Sequence, residues 1–86
     1  MNVTLEKAIE IARIALEKDK LQAREVVKSE FRPKEAEEDF AKIVTPPKNF
    51  KPADKWLITI RLVQEDVLLE VIVNANTGDS MIMYRL

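Results

Sequence analysis

Apolar and polar residues alternate through the last third of the chain. In Trp56 to Val63, a period of two puts Trp56, Ile58, Ile60 and Leu62 on one side and Leu57, Thr59, Arg61 and Val63 on the other. A polar break follows, and Val67, Leu69, Val71 and Val73 then alternate with Leu68, Glu70, Ile72 and Asn74. After Asn74-Ala75-Asn76-Thr77-Gly78-Asp79-Ser80, a last run sets Ile82, Tyr84 and Leu86 against Met81, Met83 and Arg85. Gly78, the chain's one glycine, suits a turn residue of positive φ. The segment reads as an antiparallel meander.

The N-terminal part has a different period. Leu5, Ala8, Ile9, Ala12 and Leu16 recur at helical spacing, and Thr4 or Asn2 is placed to cap a helix running to about Lys18. Ile11 and Ile14 fall outside that stripe, so more of the circumference is apolar than one-sided packing requires. Two readings stay open for 19–32. Asp19 and Gln22 resemble a capping box, and Ala23, Val27 and Phe31 stand four apart, which favours a second helix. The alternation of Val27, Ser29 and Phe31 and the β-branched pair Val26-Val27 fit a strand from Glu25 to Phe31 instead.

Pro33 ends that segment and opens another helix, with Glu35, Glu37, Glu38 and Asp39 in its first turns and Ala36, Phe40 and Ile43 facing inward. The acidic cluster reads as a solvated helix start, since a calcium site needs a ligand loop bent by glycine. Thr45 to Pro52 holds three of the four prolines and reads as an extended connector, pinned by Phe50. The fold class expected is α+β. An N-terminal helix and one or two further short helices pack on a three- to four-stranded antiparallel meander.

Eighty-six residues form one domain with one modest core. With 14 basic and 15 acidic residues interleaved, the net charge is −1, and no basic run exists to neutralise phosphates, which argues against a nucleic-acid partner. The chain has no cysteine and no histidine. Thiol chemistry and zinc-thiolate sites are thereby excluded, and the commonest general base and metal ligand are missing. No cofactor or metal is implied and no catalysis is expected. No apolar run approaches a membrane span, and Met1-Asn2-Val3-Thr4-Leu5-Glu6 lacks the order of a secretory signal. The chain therefore reads as cytoplasmic, or as extracytoplasmic if a leader has been removed.

The stretch Val71-Ile72-Val73-Asn74-Ala75-Asn76-Thr77-Gly78-Asp79-Ser80 resembles the closing motif of PepSY domains, in which a strand ends in Val-Asp-Ala-x-Thr-Gly-Glu-Val. Ala8-Ile9-Glu10-Ile11-Ala12 is similar to the alanine-bearing helix that opens them. Asn74 stands where the motif has aspartate, and the middle segment is longer and more charged than theirs. The resemblance implies a small binding or inhibitory module of the kind found in protease propeptides and cell-envelope proteins.

Two functions are expected. In the first, a PepSY-like or cystatin-like module binds a protein, or a second copy of itself as a homodimer, through the outer sheet face, an edge strand or the proline-rich connector. Leu57, Leu68, Ile72, Met81 and Met83 are the contact surface, with Arg61 and Glu70 as polar neighbours that set orientation. In the second, a cone-shaped α+β domain holds a small ligand between helix and sheet, in a pocket lined by Trp56, Phe40 and Tyr84 with Glu70, Asp66 or Arg61 nearby.

Overall fold

A computed structural model describes residues 2–44, 51–64 and 67–84. Two helices, α1 (Leu5–Lys18) and α2 (Lys34–Ile43), accompany four strands, β1 (Ala23–Arg32), β2 (Lys55–Leu62), β3 (Leu68–Asn74) and β4 (Ser80–Tyr84). The strands form one antiparallel sheet in the order β1-β2-β3-β4. Every neighbour in the sheet is a neighbour in sequence, so the expected meander is present with β1 added at its open side. Of the expected connector, 45–50 lies outside the described residues, as do Asp66, Arg85 and Leu86.

Helix α1 starts where the sequence predicts. The Thr4 hydroxyl accepts from the Lys7 N–H at 3.2 Å, and Ala8, Ala12 and Leu16 form the buried stripe. The helix lies across β2, β3 and β4. Ile58, Ile60, Leu62, Leu69, Val71 and Val73 meet it from the sheet, with Trp56, Val26 and Ile82 packed at the margins. The Trp56 indole N–H donates to the Val3 carbonyl at 2.9 Å, and the Ala75 carbonyl accepts from the N–H groups of Asn2 and Val3. The start of the chain is thus tied to the β3–β4 turn.

The second helix favoured for 19–32 is not there. Asp19 is the C-cap of α1, and Lys20 follows with φ 60°. The Lys20 N–H donates to the Glu17 carbonyl and the Leu21 N–H to that of Leu16, both at 2.9 Å, which is the Schellman ending of a helix. Ten residues of strand follow. β1 carries register irregularities between Ala23 and Glu25 and between Val26 and Lys28, so Ala23 pairs with Leu62 and Val26 with Ile60, three residues apart. Two bulges thereby turn a period of two into an apparent period of three, which imitates a helix. Val27 is the residue left over at the second bulge and is exposed.

Helix α2 forms as expected after Pro33, but its orientation is reversed. Ala36 and Phe40 are exposed, Ile43 is 84% exposed, and the buried position is Glu37. The inward-facing set expected there is corrected by the cations waiting for that carboxylate. Lys55 Nζ lies 2.9 Å from it and an Arg32 guanidinium nitrogen 3.9 Å, and the Ala53 N–H donates to Glu37 Oε1 at 3.2 Å. Asp54 Oδ1 accepts from the Lys34 N–H at 2.8 Å, so the first turn of α2 is capped from the residue just before β2.

Candidate functional site

Cross-strand register settles which side chains share the face opposite α1. One row runs Glu30, Leu57, Ile72, Met81; the next Lys28, Thr59, Glu70, Met83; the third Glu25, Arg61, Leu68. All seven residues expected at the contact surface, Leu57, Arg61, Leu68, Glu70, Ile72, Met81 and Met83, therefore lie on one face. They do not share one environment. Leu57 is 3% exposed and Thr59 is also buried, so the β2 portion of the face is closed. Ile72, Leu68 and Glu70 on β3 are half-buried, while Met81 and Met83 on β4 are 56% and 44% exposed. The face opens progressively from β2 toward β4.

Leu57 thus has no surface to offer a partner. It stands apart from the cluster under α1, as a buried apolar residue of the outer face. Arg61 is committed as well, its Nε 3.2 Å from Glu25 Oε1 on β1. The surface that remains on the β3–β4 side is built from Ile72, Met81, Met83 and the flank of Leu68, with the half-buried Glu70 among them opposite Met83. On the β1 side it is charged, with Glu25, Lys28 and Glu30 exposed and Lys28 Nζ 3.9 Å from Glu30.

The β3–β4 turn fixes β4 in that surface. Asn74 Oδ1 accepts from the N–H groups of Asn76 and Thr77 at 2.9 and 3.0 Å. The Gly78 N–H donates to the Asn74 carbonyl while the Asn74 N–H donates to the carbonyl of Asp79 at 2.7 Å, so two residues oppose one, with Gly78 at φ 83°. That is a glycine bulge closing a hairpin. It answers the role that the sequence gives Gly78, and an asparagine amide oxygen serves the turn as a carboxylate would.

Among the described residues, open clefts lie both on this face and away from it. A cleft of about 330 Å³ is lined by Arg32, Ala36, Glu37 and Phe40, and one of about 380 Å³ by Arg13, Glu17, Leu21, Gln22, Ala23 and Val63. The third, about 180 Å³, runs along Lys55, Ile72, Asn74, Asp79, Ser80 and Met81. Of the aromatic residues expected to line one helix–sheet pocket, Trp56 and Phe40 have different surroundings, and the Tyr84 side chain lies outside the described part of the structure. Trp56 sits edge-on to Phe31 with ring centroids 5.0 Å apart, while Phe40 lines the cleft beside α2. Among the described residues no group of three or more acidic side chains is placed to hold a metal ion, and no helix is long and apolar enough to cross a membrane. No family model matches the chain, and it matches neither a curated protein nor a solved structure.

Proposed function

We propose that this chain is a non-catalytic protein-interaction module of PepSY-like type, which binds through the β3–β4 half of its outer face. The observation that carries the reading is the gradient across that face. Leu57 is buried, whereas Ile72, Met81 and Met83, in the same two rows, are progressively uncovered. Exposed methionines beside a half-buried isoleucine make a contact surface that adapts to its partner's shape. The exposed charges of β1 border it on one side, as polar rims border apolar interface centres. The Asn74 turn, with its Thr77-Gly78 corner, supports the PepSY-like assignment because it holds β4 in place by hydrogen bonds within the motif itself.

Photo-activatable methionine incorporated during expression tests this directly. After irradiation in the producing cells, the reading expects protein adducts mapped to Met81 and Met83, lost when Ile72→Lys is introduced into the folded chain. Adducts confined to other sites, or none, would overturn it.

A further inference from the structure

The two edges of the sheet are built differently. β1 is ten residues long, is interrupted by two bulges, and carries exposed Arg24, Glu25, Lys28, Glu30 and Arg32. Bulges and charges of this kind prevent a strand from pairing with another chain. β4 has neither. Its five residues, Ser80-Met81-Ile82-Met83-Tyr84, contain no charge, no proline and no bulge beyond the turn.

The hydrogen bonds of the turn fix which way the β4 backbone points. Since the Asn74 N–H donates to the Asp79 carbonyl, the next hydrogen-bonded pairs in the register are Ile72 with Met81 and Glu70 with Met83. The N–H and C=O groups of Ser80, Ile82 and Tyr84 therefore point away from β3, at the free edge. Apolar side chains flank that edge on both sides of the sheet. Met81 and Met83 lie on the outer face and Ile82 on the α1 face.

We infer that β4 pairs antiparallel with β4 of a second copy, about a two-fold axis through Ile82, making a closed dimer with one continuous eight-stranded sheet. This deepens the interaction reading and rests on it. Of the registers open to the strand, this one pairs all five residues and forms about six hydrogen bonds from the outward groups of Ser80, Ile82 and Tyr84. It sets Met81 opposite the second copy's Met83 at a non-hydrogen-bonded position, where side chains stand closest. Pairing of β4 with β1 of another copy would instead run on into an open array, and the bulges and charges of β1 oppose it.

The test is molar mass by light scattering from about 1 to 500 µM, the range for an interface of modest area, on the wild-type chain, Ser80→Pro and Ile72→Lys. Proline at the first residue of an edge strand removes an outward N–H while leaving the β3 ladder intact. A wild-type dimer, a Ser80→Pro monomer with unchanged far-ultraviolet circular dichroism, and a dimeric Ile72→Lys are expected. Slowed hydrogen exchange of the Ile82 amide in the wild-type dimer, relative to its monomer at low concentration, should accompany them. A dimeric, folded Ser80→Pro overturns edge pairing. A wild-type chain monomeric throughout also overturns it but leaves the interaction reading standing if Met81 and Met83 still form adducts with another protein; without those adducts both fail.

Discussion

Glu37 and Lys55 meet at 2.9 Å with the carboxylate almost fully buried, and the ammonium side chain only 18% exposed. This pair, backed by the Ala53 N–H and by Arg32, fastens α2 to the corner where β1 ends and β2 begins. Removing one partner leaves the other charge poorly solvated, which costs several kcal/mol in a fully buried pair. For Glu37→Leu we expect about 2 kcal/mol or more in urea denaturation, at the low end because Lys55 keeps some water. The double variant Glu37→Leu with Lys55→Leu should recover most of that loss. Equal losses in the single and double variants would show the pair to be uncoupled.

Lys20 occupies a left-handed position at φ 60° that glycine adopts without steric strain. Lys20→Gly should therefore stabilise the fold, by about 0.5–1 kcal/mol, seen as a higher melting temperature. A lower one would mean that the lysine side chain makes a contact worth more than the strain.

At the β3–β4 turn the expectation reverses. Gly78 has φ 83°, and a Cβ there would meet Ile11 Cδ1 at 3.5 Å, an ordinary contact. Gly78→Ala should thus cost about 1–2 kcal/mol through backbone conformation alone. Asn74→Asp should be nearly neutral because a carboxylate accepts the same two N–H groups. Asn74→Ala should cost about 1 kcal/mol. Chemical denaturation of the three variants ranks them.

Two apolar residues in the same row separate stability from association. Leu57→Ala should cost about 2–5 kcal/mol by leaving a cavity in a closed part of the face. Met81→Ala should change stability by less than about 1 kcal/mol while weakening any association through the β4 side. If Met81→Ala destabilised the fold as much as Leu57→Ala, the outer face would be core throughout.

The meander, the first helix with its Thr4 cap, and the sharing of one face by Leu57, Arg61, Leu68, Glu70, Ile72, Met81 and Met83 were legible because their periods are undisturbed. β1 was legible only as the less favoured reading, a strand from Glu25 to Phe31, since Ala23, Val27 and Phe31 stand four apart as on a helix and the bulge that leaves Val27 over breaks the alternation of a strand. The direction of α2 was not legible. Its apolar residues Phe40 and Ile43 pointed inward by hydrophobicity, but the neighbours that decide the matter, Lys55 and Ala53, are distant in sequence. The Asp19 signal misled for a related reason, as one residue type serves both helix starts and other polar positions near helix ends. Leu57's burial was invisible because alternation assigns a face and says nothing of what lies above it.

The tie between residues 2–3 and Ala75 bears on the order in which the molecule is made. A ribosome releases α1 before the strands on which that helix rests, since β2, β3 and β4 emerge only after β1 and α2. At about 5–20 residues per second, the stripe of Ala8, Ala12 and Leu16 waits several seconds for its sheet. Over that interval the nascent helix offers its apolar side to whatever chaperone attends the exit tunnel.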